Sequence, residues 1–556
     1  MRAIWVAILG LLTMAGTALG KPYPDRLVWV FGFDLDNEKD VAEVETMLDT
    51  GAKHGINGAV LSAGMDRLAK QSPEYMKGLD RVRKACDRNK IELIPAIFSF
   101  GYGGVFLSQN RHLAEGLPVR DALFVASADG QAKLAPDPEV TIKNGGFEDY
   151  EGKNFKGFGF HDAPGTISFP DTAVFHGGKS SIRLENFTSD KWGHGRVSQK
   201  ITVHPYRSYR VTLWAKTQGL GPKSAFNLFA LAPKEPETSL SQRTYELPAT
   251  ADWQKLTYIF NSREFDAVTM YAGVWEGKEG KLWLDDFAIE ELGPMNVLRR
   301  PGTPVTVKSD DGKTVYMEGK DYAKLEDPEF NPYRQDHAAP ALKLLAGGRI
   351  KTGDRLRVSW YHPMITYREQ VGVCMAEPQI YEIAEESVKA LWDTLHPTRV
   401  NLDFDEIRMG GTCQACAGRN MGELLGESVT RIVKILRKYN PKMQISVWSD
   451  MFDPNHTAHG NYYYVEGDYA GSWNHVPKDL IMSIWGSEPN PKSLKFFADQ
   501  GFQTIGSCYY DADDLSQVKE WVKATKGMKN VRGFMYTPWE RKYALLGEFG
   551  DLIGGK

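Results

Sequence analysis

Cysteine is scarce: five in 556 residues, an odd number made up of Cys86, Cys374, Cys413, Cys416 and Cys508. That excludes a fold built on disulfides. A charge excess of either sign is also missing, since 67 Lys and Arg meet 71 Asp and Glu for a net charge of −4. A polyanion partner normally demands a basic excess, so nucleic acid is excluded as the main ligand. The hydrophobic share of 42% argues against a disordered chain. After the first 20 residues, no segment reaches the roughly 18 consecutive apolar residues of a membrane span.

What is abundant is aromatic surface, with 14 Trp and 24 Tyr. Such side chains join a flat apolar face to a polar handle, which suits sugar rings as well as large cores. Residues 1–20, MRAIWVAILGLLTMAGTALG, place Arg2 before an apolar run that ends at Ala18-Leu19-Gly20. This is the pattern of a cleaved signal peptide and implies a secreted or periplasmic protein. The lone Cys413-Gln-Ala-Cys416 has no second pair and no His at ligand spacing. It reads as a local disulfide or two free thiols, with no metal and no cofactor expected.

Along the chain, apolar runs alternate with helical periodicity. Eight strands are expected at 27–33, 58–62, 91–98, 399–405, 443–448, 480–485, 503–509 and 532–536, with helices between most of them. Eight parallel strands with alternating helices close a (β/α)8 TIM-type barrel, an α/β fold. Between the third and fourth strands the text turns to short strands with Gly and Pro turns, which suggests a β-sandwich. The expected organisation is a signal peptide at 1–20 and the first part of the barrel at 21–139. A sandwich follows at 140–292, a small β linker at 293–354, and the remainder of the barrel at 355–556, with the stretch Arg355–His362 given to the inserted β region.

In such a barrel, chemistry sits at the C-terminal ends of the strands. Those ends carry Asp34 on strand one, Asp403, Asp405, Glu406 and Arg408 on strand four, and Trp448 and Asp450 on strand five. They also carry Trp485 on strand six, Tyr509 on strand seven, and Trp539 with Glu540 on strand eight. Strand periodicity puts Asn401, Asp403 and Asp405 on one face, with Leu402 and Phe404 on the other. Carboxylates among aromatic walls suit hydrolysis of a glycosidic bond. One acid protonates the leaving oxygen and a second negative group supports the oxocarbenium-like state. Asp405 and Glu406 are the expected catalytic pair, and the other nine are expected to bind substrate.

Two resemblances add to this reading. The segments NGGFE, SYRVTLWAK and LWLDDFAIEEL make the sandwich similar to a jelly-roll carbohydrate-binding module. The barrel blocks NLDFDEI, ISVWSDMF, IMSIWG and the terminal TPWE resemble family-20 glycoside hydrolases, the β-N-acetylhexosaminidases, over about 399–545. That resemblance implies substrate-assisted, retaining cleavage. Asp405 would hold the 2-acetamido group that acts as internal nucleophile, and Glu406 would serve as general acid. Trp448, Trp485 and Trp539 would wall the sugar, Tyr509 would bond the acetamido carbonyl, and Glu540 would bind hydroxyls. The sequence departs from the family in having Asp403-Phe404 before the Asp-Glu pair and no evident strand-one Arg. A glycosidase with an aspartate nucleophile and a non-catalytic carbohydrate-binding protein remain as alternatives. A glycan is the expected partner.

Overall fold

The computed structural model describes residues 22–221, 225–234 and 238–554. The expected signal peptide lies outside the described residues. Eight parallel strands close a barrel: β1 (Asp25–Phe31), β2 (Gly58–Ser62), β3 (Glu92–Ile97), β4 (Arg399–Leu402), β5 (Gln444–Trp448), β6 (Ile481–Trp485), β7 (Gln503–Cys508) and β8 (Val531–Tyr536). The barrel shuts where β1 pairs with β8, Leu27 opposite Met535.

The strands read as continuous apolar runs because both faces are covered. On β1, Leu27 and Trp29 enter the barrel interior, while Val28 and Val30 pack under the helices. Helix starts carry side-chain caps that satisfy otherwise unpaired backbone N–H groups. Asn37 caps Glu38–Lys53, Ser72 caps Pro73–Asn89, and Asn420 caps Met421–Tyr439. A buried charge cluster closes the bottom of the barrel, where Asp25 pairs with Arg399 at 3.0 Å and with Arg532 at 2.6 Å.

The chain leaves the barrel after β3 and returns through helix Gln379–Leu395 into β4. Between these points lie two five-stranded antiparallel sheets with a common apolar core, a β-sandwich. A third sheet has six strands and its own core. Its centre pairs Leu117–Ala126 with Arg355–His362. The structure differs from the expected division at its first boundary. Residues 117–134 join 306–343 in one sheet rather than the barrel, and Arg355–His362 lies in the same sheet, in keeping with its expected place in the inserted β region. Their alternating patterns match each other, and pairing across more than 200 residues is invisible to a reading that proceeds along the chain.

Among the described residues, no helix is long and apolar enough to cross a membrane.

Candidate active site at the barrel mouth

A cleft of about 570 Å³ opens at the C-terminal ends of the strands. Asp403, Asp405, Glu406, Trp448, Trp485 and Trp539 all line it, together with Trp29, Phe31, Tyr102 and Tyr510. The acids arrive as strand periodicity dictates. Asn401 and Asp403 turn inward, where Asn401 Nδ2 donates to Asp403 Oδ1 at 2.8 Å, and Leu402 and Phe404 pack outward under the helices. Trp448 Nε1 donates to the same Asp403 oxygen at 3.0 Å.

Glu406 sits beyond the strand with φ 48°, a left-handed backbone that a non-glycine side chain adopts at some cost. Several contacts hold it there. Its N–H donates to Asp450 Oδ2 at 2.9 Å, and its carbonyl accepts from Gln370 Nε2 at 2.7 Å. Its carboxylate is gripped by Arg408 through Nη2 at 2.7 Å and Nη1 at 3.0 Å, and accepts from the Tyr102 hydroxyl. Gln370 bonds Arg408 as well, so one amide braces both the backbone and the counter-ion of Glu406.

The carboxyls differ in their surroundings. Burial pushes the Asp405 carboxyl well up, helped by the nearby charges of Asp450, Asp403 and Glu406. Burial raises Asp403 to about 8 and Asp450 to about 6. Asp450 is fully buried behind the cleft and also accepts from Trp485 Nε1 at 3.2 Å. Burial therefore favours the protonated form of Asp405, while Glu406 is the carboxylate with a bidentate cation.

The aromatic wall is continuous. Trp29 meets Trp448 edge-on at 5.2 Å and Trp539 at 5.9 Å, and Trp485 stacks parallel to Tyr510 at 6.4 Å. Trp539 is 36% exposed and its N–H donates to Asp511 Oδ2 at 2.8 Å, which fixes the loop that carries it.

Three expected residues stand elsewhere. Tyr509 has φ 77°, which breaks the alternation of β7, so its ring stacks on Tyr536 in the outer layer at 4.1 Å. Its neighbour Tyr510 enters the cleft instead. Asp34 is exposed and its carboxylate accepts from Asp36 N at 3.0 Å, shaping the turn into the first helix. Glu540 is exposed beside Lys542, 3.4 Å away. Sequence reading passed over Trp29 and Phe31, although period two from Leu27 points both inward. Tyr102 lies in a glycine-rich loop that has no periodicity to reveal its direction. Arg67 lines the cleft from beyond β2, so a cation is present that strand one lacks.

The sandwich bears aromatics of its own. Phe229 stacks on Tyr271 at 5.1 Å and meets Trp275 at 5.2 Å on one sheet, with Arg196 over Trp275. Trp283, by contrast, is buried and donates to Asp171 Oδ2 at 2.9 Å. A family model described as "carbohydrate binding domain" matches residues 140–278. The insert contains a carbohydrate-binding domain. Solved structures similar to this domain include a CBM4 module, with 20% identity over 27% of this chain and 99% of that one, at a TM-score of 0.21. Another is the CBM22-1 xylan-binding domain from Paenibacillus barcinonensis, with 14% identity over 28% of this chain and 97% of that one, also at 0.21. A search of curated proteins returned no match. The carbohydrate-binding domain is hydrogen-bonded to the segment that leads to Gln370 beside the cleft. Gln242 N donates to Thr366 O at 3.2 Å, four residues before Gln370.

Away from the cleft, one set of described side chains has metal-ligand spacing. The ligand atoms of Glu115, Cys374, Cys413 and Cys416 all lie within 4.8 Å of one another.

Proposed function

We propose that the barrel is an exported glycoside hydrolase whose substrate is brought to it by the carbohydrate-binding domain. The observation that carries this reading is the clustering of Asp403, Asp405 and Glu406 against four tryptophans at the barrel mouth. Glycosidic hydrolysis needs a proton donor, a second carboxylate and an apolar wall for the sugar ring, and the carboxyl groups and tryptophans of the cleft support that reading.

Asp405 is the proton donor in this reading. Its proton passes to the leaving oxygen as the C1–O bond breaks. Glu406, oriented by Arg408, supports positive charge on the sugar. Water then adds at C1 and returns a proton to Asp405. Terminal β-linked N-acetylhexosamine, cleaved with help from its own acetamido group, is the preferred substrate, on the strength of the family-20 resemblance of the barrel blocks.

Aryl glycosides test the assignment. Hydrolysis of an aryl β-N-acetylglucosaminide and inhibition by a thiazoline mimic of the oxazoline are expected. Asp405→Asn should lose activity steeply on a poor leaving group and far less on a dinitrophenyl glycoside, which needs no protonation. Glu406→Gln should lose activity equally on both. Absence of turnover across aryl hexosaminides would remove the substrate assignment. Absence across all aryl glycosides would remove the enzyme reading.

A further inference from the structure

We propose that Glu115, Cys374, Cys413 and Cys416 form a structural zinc site that ties the base of the insertion to the loop after β4. The site is independent of the glycosidase reading.

The four residues come from three distant segments. Glu115 lies just before the strand Leu117–Ala126, Cys374 precedes the helix Gln379–Leu395, and Cys413 and Cys416 lie in the connection from β4 to Met421–Tyr439. All three cysteines are buried free thiols. Cys374 Sγ stands 3.6 Å from Cys413 Sγ and 3.5 Å from Cys416 Sγ, and Cys416 Sγ stands 3.6 Å from Glu115 Oε2. Tetrahedral zinc with Zn–S near 2.3 Å and Zn–O near 2.0 Å sets its ligands roughly 3.5–3.8 Å apart. The spacing therefore matches a common tetrahedral centre. A disulfide would draw two sulfurs to about 2.05 Å and leave the third thiol and the carboxylate unused.

Glu115 is arranged as a ligand. It is fully buried, and its Oε1 accepts from Thr412 N at 3.1 Å, Thr412 Oγ1 at 3.0 Å and Cys413 N at 2.9 Å. Those three bonds fix the carboxylate plane and leave Oε2 turned to the sulfurs. A buried carboxylate beside three thiols calls for a positive partner. Arg300 lies against Cys413, but it is one cation for the whole cluster and also pairs with Glu377 and donates to Ala114 O at 3.0 Å. The loop that carries Cys413 and Cys416 is also held tightly in place. Gln414 N donates to Gly302 O at 3.0 Å, and a Cβ at Gly302 would come within 2.6 Å of Ala415. Three soft sulfur donors with one oxygen, in a closed site with no open face, favour structural zinc over harder ions.

Metal analysis of the full chain, produced with zinc supplied and purified without chelator, tests this. Stoichiometric zinc is expected, and it should fall sharply in Cys416→Ser and in Glu115→Gln. Cobalt exchanged into the wild-type protein should show tetrahedral d–d bands and sulfur-to-metal charge transfer, a readout that does not depend on the variants folding. Chelation should lower Tm, with zinc but not magnesium restoring it. Zinc well below stoichiometry would overturn the proposal, whether the thiols then prove alkylatable or joined in a disulfide. So would stoichiometric iron or copper in its place. Activity on any glycan bears on neither outcome.

Discussion

Arg408 grips Glu406 with both terminal nitrogens, Nη2 to Oε1 at 2.7 Å and Nη1 to Oε2 at 3.0 Å. Two residues apart in sequence, they face each other because Glu406 adopts a left-handed backbone. Bidentate geometry of this kind holds a carboxylate both charged and oriented. The consequence is a division of labour at the barrel mouth. One acid faces a cation, and burial pushes the carboxyl of its neighbour upward.

Arg408→Lys tests that grip. A lysine is a point charge and cannot reproduce the fork. A fall in kcat of about 10²-fold is expected, with KM changed much less, because the loss is of charge support in the transition state. Gln370→Ala should shift the same parameters in the same direction to a smaller degree, since Gln370 positions Arg408 and Glu406 without facing the cleft. Steady-state kinetics on one aryl glycoside checks both.

Asp403 gives a pH prediction. Its carboxyl is raised by burial from the ordinary value to about 8. A group raised in the folded state favours folding while protonated. Its contribution is complete below about pH 4 and is lost as pH rises towards 8. Asp403→Asn keeps the shape without the charge, so Tm relative to wild type should improve as pH goes from 5 to 8.5. Thermal unfolding at both pH values measures the difference, and an equal effect at both would contradict the assignment.

The two faces of the tryptophan wall should separate binding from stability. Trp539 is partly exposed, so Trp539→Ala should raise KM with a stability loss within about 1 kcal/mol. Trp448 is 2% exposed and packed on Trp29, so Trp448→Ala should cost about 3–5 kcal/mol. Denaturant melts alongside kinetics discriminate the two.

Gly101 is a backbone contact to the site. A Cβ there would come within 2.4 Å of Asp405 O and 2.9 Å of Glu406 O. Gly101→Ala should therefore displace the acid pair and depress kcat by at least about tenfold, in the manner of small misplacements of reacting groups. Secondary structure by circular dichroism should remain as in wild type.

The sequence by itself carried the eight strands, because parallel barrel strands are buried on both faces and read as apolar runs. It carried the inward direction of Asp403 and Asp405, since alternation is a local property of a strand. It also carried the sandwich, through repeated short alternating segments. Only the tertiary structure decided features that depend on backbone reversal or distant pairing. A left-handed φ at Tyr509 exchanged that ring for Tyr510, and the glycine-rich loop after β3 delivered Tyr102 to Glu406. Residues 117–134 and 355–362 met across the whole sandwich. The pair Cys413 and Cys416 looked incomplete in sequence because its partners, Cys374 and Glu115, lie 39 and 298 residues from Cys413. Periodicity and local spacing report what neighbours along the chain do. Which charge is neutralised, and which buried groups converge on one point, depends on segments that only folding brings together.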